Sequence, residues 1–167
     1  MDDTVAFVVL SSVLGVGGAL AMDAWAFFLG RFFSVSSLDY AMVGRWVGHI
    51  GRGKARHQFI GSSPPIRHER LLGYVVHYLI GVACAALLLL VWGLDWAEHP
   101  TVVPALAVGL GTLVAPWLVM QPAFGLGIAG ASTPSPAVTR AKSAAAHTAY
   151  GFGLYGSAIV LNATGVL

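Results

Sequence analysis

Three ionisable side chains lie inside or at the mouth of apolar runs. Asp23 falls in the run 5-33, His77 in 71-92 and His147 in the first turn of 143-162. An ionisable group in apolar surroundings is costly unless it has a partner or a task. His77 lies six positions inside Leu71. That is about 9 Å along a helix that rises about 1.5 Å per residue. Two histidines and one carboxylate make a donor set that suits iron, zinc or manganese. The same groups can pass a proton or hold a polar solute by hydrogen bonds. A bis-histidine haem is a rarer use of such a pair. The bland alternative is a structural network in which Asp23 pairs with a histidine. The histidine spacings match no metal motif. His49, His57, His68 and Glu69, in the polar segment 34-70, are further candidate ligands that could cap the site. Gln121, Tyr150, Arg45 and Trp46 are candidates for contact with a bound solute. Met22 and Met120 would suit Cu(I), although methionine more often simply packs.

The elements that must position these residues follow from composition. The chain is 57% hydrophobic and 10% charged, and its mean hydropathy is +0.77. A soluble domain carries about 25% charged residues. So little charge cannot cover a water-exposed surface, and a bilayer is the expected solvent. The 167 residues suit one domain. The lone cysteine, Cys84, lies in an apolar run and allows no intrachain disulfide. Met1-Asp2-Asp3 offers no basic region, and the first run is too long for a cleaved signal peptide, so it reads as a mature helix.

The reading is an all-α integral membrane protein, a four-helix bundle with spans 5-33, 71-92, 102-121 and 143-162. The first run exceeds what a bilayer needs and must tilt or project. Small residues recur along it (Gly15, Gly18, Ala19, Ala26, Gly30), as close helix contacts in lipid require. In the cytoplasmic loop 34-70, Leu38 to Ile50 reads as an amphipathic helix capped by Ser36 or Ser37. Its face of Leu38, Met42, Trp46 and Ile50 would lie in the membrane interface, with Arg45 and Trp46 at headgroup level. In the second span, Glu69, Gly73, His77, Gly81 and Cys84 form a small, polar stripe that should face the protein interior. Pro116 should kink the third span, and a break is expected at Gln121-Pro122.

The basic residues fix a topology. Arg45, Arg52, Lys54, Arg56, Arg67, Arg70, Arg140 and Lys142 fall in the loops between spans one and two and between spans three and four. The other side carries Asp2, Asp3, Asp95 and Glu98. The positive-inside rule then places both termini on the periplasmic side of a bacterial inner membrane. It also brings Asp23, His77, Gln121 and His147 to one leaflet. Met22-Asp23 and Met120-Gln121 echo each other, as do His77 to Gly81 and His147 to Gly151. The echo suggests a duplicated hairpin, a common plan among transporters.

No Walker loop, dinucleotide fingerprint, zinc-protease helix or nucleophile elbow is present. Topology accounts for the basic residues, so no nucleic-acid partner is expected. The expected partners are membrane lipids, with anionic headgroups at the cytoplasmic face, and the glycine faces suit a homo-oligomer.

At GRWVGH (Gly44 to His49), HERLLGYVVHYLIG (His68 to Gly81) and MQPAFGLGIA (Met120 to Ala129), the chain resembles a bacterial inner-membrane family. That family is catalogued as domain of unknown function twenty-nine thirty-eight. The resemblance implies a four-span membrane protein and no particular activity. Three functions fit the residues. The first is binding or transport of a metal ion, proton or small polar solute at a cytoplasmic-side site. The second is a membrane-embedded metalloenzyme acting on a lipid-soluble substrate through a divalent metal ion held by Asp23, His77 and His147. The third is an accessory protein with a structural polar cluster.

Overall fold

The computed structural model describes residues 2–165, and among them the regular structure is helical, with no strand. In chain order the helices are α1 (Asp3–Phe33), α2 (Tyr40–Ile50), α3 (Glu69–Trp92), α4 (Asp95–Glu98), α5 (Val102–Gly111), α6 (Gln121–Ala123) and α7 (Pro136–Ala163). Single 3₁₀ turns occupy Ile60–Ser62 and Ile128–Gly130. A π-helical turn, Pro116–Met120, runs directly into α6. Among the described residues, three helical stretches are long and apolar enough to cross a membrane: Asp3–Phe33, Glu69–Trp92 and Val102–Ala123.

Local chemistry explains where the elements depart from expectation. The cap of α2 is Asp39, not a serine, and its carboxylate accepts from the Ala41 N–H at 3.0 Å. A short carboxylate acceptor just before the first free N–H groups is a good cap, and it starts the helix at Tyr40 rather than Leu38. The third apolar stretch is not one regular helix. Pro116 has no N–H to donate, and the chain passes it as a turn at Thr112-Leu113 followed by the wide π turn. The last helix starts at Pro136 rather than near Ser143. Proline suits a first helical position, and the Thr139 N–H reaches the Ser135 carbonyl at 3.0 Å to close the first turn. His147 therefore lies about three turns inside α7, not in its first turn.

The chain divides into two compact units. The first holds residues up to Ser36, Tyr78–Thr112 and the chain from Ala145 on. Its core gathers Leu10 and Leu14 of α1, Ala85, Leu88 and Leu89 of α3, Trp96 of α4, Val108 of α5 and Leu154 of α7. Glycines set how closely its helices approach. A Cβ on Gly15 would strike the backbone at Gly81 and Val82, and a Cβ on Gly109 would strike His147 and Gly151. Near Gly81 the Tyr150 hydroxyl donates to the Gly81 carbonyl at 2.6 Å, tying α7 to α3. The two His-x-x-x-Gly echoes share one feature. Each ends on a glycine that touches the neighbouring helix, α1 for Gly81 and α5 for Gly151.

The second unit holds Ser37–His77 and Leu113–Ala144. Its small core is Val43, Ile60 and Phe124, with Met42, Trp46, Val76 and Met120 packed around it. Helix α2 lies against the start of α3 with glycine facing glycine. A Cβ on Gly44 would meet the Glu69 carbonyl, and one on Gly73 would meet the Tyr40 carbonyl. The small stripe predicted along the second span therefore does face protein, at Gly73 in this unit and at Gly81 in the other. On α2 the buried residues are Ala41, Val43, Gly44 and His49, while Leu38 and Ile50 at the ends of the predicted apolar face are each 42% exposed. At Gly125, φ is 82° and a Cβ would run into the Gln58 carbonyl, so only glycine fits that turn.

Candidate functional site

Each of the three central candidates is bonded to a hydroxyl. In the first unit, Tyr78 on α3 donates its hydroxyl to Asp23 Oδ2 on α1 at 2.9 Å. In the same unit, His147 on α7 meets Thr112 at the end of α5. Thr112 Oγ1 donates to the Gly109 carbonyl at 2.7 Å and lies 3.0 Å from His147 Nδ1. The Gly109 carbonyl is also 3.1 Å from Nδ1. A carbonyl only accepts and the threonine proton is directed to Gly109, so Nδ1 is the protonated, donating nitrogen. In the second unit, His77 Nε2 lies 3.1 Å from the Tyr40 hydroxyl of α2. The Tyr40 ring lies tilted against both His77 and Tyr74, with centroids 4.5 and 4.7 Å away.

Asp23 and His147 belong to one unit and His77 to the other. Among the described residues, no group of three or more His, Cys, Asp and Glu side chains is gathered to hold a metal ion. Gln121 is buried in the second unit and donates from Nε2 to Ser143 Oγ at 3.3 Å, while its Oε1 has no hydrogen-bond partner among the described residues. Tyr150 is buried in the first unit, on the Gly81 carbonyl.

The polar segment 34-70 is built around Arg45. Its Nε and Nη2 donate to the two carboxylate oxygens of Glu69 at 2.9 and 2.7 Å. Its Nη1 reaches the Gly61 and Ser63 carbonyls at 3.1 Å each and Ile60 at 3.3 Å. Glu69 also accepts from the Ile66 N–H at 3.0 Å. One guanidinium therefore fastens the whole 60–69 turn to α2, and the Glu69 carboxylate holds it protonated even more firmly than usual. Trp46 donates its indole N–H to the Ala55 carbonyl at 2.8 Å and rests edge-on against Phe124.

His49 and His57 are buried with ring centroids 5.0 Å apart. His49 Nε2 lies 3.0 Å from the Pro64 carbonyl, and His57 Nδ1 lies 2.8 Å from Ser63 Oγ. Burial, then the charge of Lys54, holds His57 below the ordinary imidazole range. His68 is exposed, with φ 58°, and takes a hydrogen bond from Arg67 Nε at 2.9 Å.

The three stretches that carry the family resemblance therefore meet inside the second unit. Gly44 and Arg45 of the first touch Gly73 and Glu69 of the second, and Trp46 touches Phe124 of the third. The model of the family described as Protein of unknown function (DUF2938) matches residues 12–161. The chain belongs to that family. No curated protein and no solved structure matches it. The match spans both units of this DUF2938 chain, so the Asp23–Tyr78 and His147–Thr112 pairs fall within it together with the Arg45–Glu69 clamp.

Sequence reasoning missed the hydroxyl partners Tyr40, Tyr78 and Thr112. A signal was present for two of them. Tyr78 and Thr112 are hydroxyls inside apolar runs, where any polar group needs a partner. Tyr40 carried no such mark, because only the crossing of α2 and α3 brings it to His77.

Proposed function

We propose that this DUF2938 protein crosses the membrane four times, with α7 as the fourth span, and passes protons or a small polar solute through its intramembrane polar groups. Both termini lie outside, and the loops rich in Arg and Lys lie in the cytoplasm. The apolar outer surface supports the membrane setting. Phe27 is 71% exposed, Leu90 72% and Val103 77%, a cover that suits lipid and not water. The observation that carries the functional reading is the pairing of Asp23, His77 and His147 each with a hydroxyl. A hydroxyl can donate and accept, so Tyr40 and Tyr78 can hand a proton on or exchange a partner for a polar solute, while Thr112, committed to the Gly109 carbonyl, holds His147 in place. A carboxylate and imidazoles inside apolar helices are the usual furniture of proton paths.

The test is proton flux into liposomes that hold the purified protein and an internal pH dye. The reading predicts that Asp23→Asn brings flux down to that of protein-free liposomes, and that Tyr78→Phe slows it. Wild-type flux no faster than protein-free liposomes, or full flux in Asp23→Asn, would contradict the proton path and leave only a polar solute as cargo.

A further inference from the structure

The second unit carries eight Lys and Arg side chains against two carboxylates, Asp39 and Glu69. Glu69 is already bound to Arg45, and Asp39 lies 4.0 Å from Arg70. Arg52, Lys54 and Arg56 are all exposed and form no ion pair among the described residues. Their backbone, however, is held. The His49 carbonyl accepts from the Arg52 and Lys54 N–H groups at 3.0 and 2.9 Å, around a turn with Gly53 at φ 81°. The Ala55 carbonyl takes the Trp46 indole N–H at 2.8 Å. The His57 N–H donates to the Ala123 carbonyl at 2.9 Å, which pins the far end. Three unneutralised cations thus stand on a fixed segment. It is flanked by two apolar side chains turned outward, Ile50 at 42% and Phe59 at 46% exposure.

We propose that the segment from Ile50 to Phe59 is a docking surface for anionic phospholipid headgroups. Arg52, Lys54 and Arg56 meet the phosphates, and Ile50 and Phe59 enter the apolar edge of the bilayer. Charge complementarity selects the partner, since guanidinium and ammonium groups are the usual phosphate donors. The fixed backbone lowers the ordering cost of binding. The inference rests on the membrane reading above but not on proton handling.

The experiment uses the full chain in neutral detergent, with phosphatidylglycerol and phosphatidylcholine as probes, and reads bound lipid by native mass spectrometry. Retention in the membrane fraction after alkaline washing is checked first, so a failure of the membrane reading shows before any lipid is added. The expected result is a preference for the anionic lipid that weakens with salt. It should fall about fivefold for K54Q alone and roughly 100-fold for R52Q/K54Q/R56Q, since each surface cation contributes about a fivefold factor. K54Q keeps the test alive if the triple variant does not fold. R52K/R56K, which keeps the charge, should keep the preference. Equal binding of the two lipids would overturn the proposal, as would an unchanged preference in both glutamine variants. So would loss of preference in R52K/R56K, or displacement of the lipid by inorganic phosphate at the same concentration.

Discussion

Arg45 holds the polar segment together with five hydrogen bonds, two of them to Glu69. The two side chains retain only 14% and 17% exposure, so neither is stabilised much by water. Removing one partner of such a part-buried pair leaves a largely desolvated charge and costs about 1–3 kcal/mol. Arg45→Ala and Glu69→Ala should each lower the melting temperature in detergent. The double variant should lose less than the sum, because the second change removes the charge the first one stranded. Strict additivity would show that the two do not act as a pair. His57 supplies a pH dependence. Its folded pKa lies below the ordinary imidazole value through burial first and then the Lys54 charge. The unfolded chain therefore binds a proton where the folded chain does not, and stability rises with pH there. The contribution is complete above about pH 6.5, the unfolded imidazole value, and is lost as pH falls through the lower folded value. Melting curves across that range should show the loss in wild type and a flatter profile in His57→Gln. A wild type that gains stability on acidification would contradict the assignment. Sequence alone placed Arg45 and Trp46 at the headgroups. Their inward bonds were illegible, because they depend on a turn that begins 15 residues later at Ile60.

The elements were the most legible part, since apolar runs and breakers mark them directly. The stripe of Gly73 and Gly81 and the buried Gly15, Gly18 and Ala19 of α1 could be read from side-chain size, whereas Gly30, equally small, is exposed. The start of α7 could not. Thr139-Arg140-Ala141-Lys142 reads as a polar loop by hydropathy, yet Pro136 and the alanines favour a helix. The π turn was visible only as a proline, without its form. Glycine crossings give a prediction at this scale. A Cβ at Gly44, Gly73 or Gly109 would meet backbone, which cannot rotate away. Alanine there should cost about 1–3 kcal/mol, as overpacking does. Gly156, also in a helix, has nothing within 4 Å of such a Cβ, so Gly156→Ala should be neutral or stabilising. Equal effects at Gly73 and Gly156 in thermal unfolding would remove the close crossing of α2 and α3 from the account.

At the scale of the whole molecule, charge is sorted by unit. The second unit has the eight cations just described, whereas the first has Arg31 against Asp2, Asp3, Asp23, Asp95 and Glu98. The grouping of the cations in two loops was legible in the sequence, but the unit that gathers those loops was not. The partners of the polar groups were not, because depth along a helix fixes a leaflet and leaves the facing side chain open. The proposed topology and the passage through the membrane depend on four crossings. The direct test is cysteine labelling in a Cys84→Ala background, with a membrane-impermeant maleimide on intact cells. The account predicts that Asp3→Cys, Asp95→Cys and Thr164→Cys react from outside, and that Lys54→Cys and Lys142→Cys react only after lysis. Lys142→Cys and Thr164→Cys reacting from the same side would mean that α7 does not cross, and would contradict the four-span account.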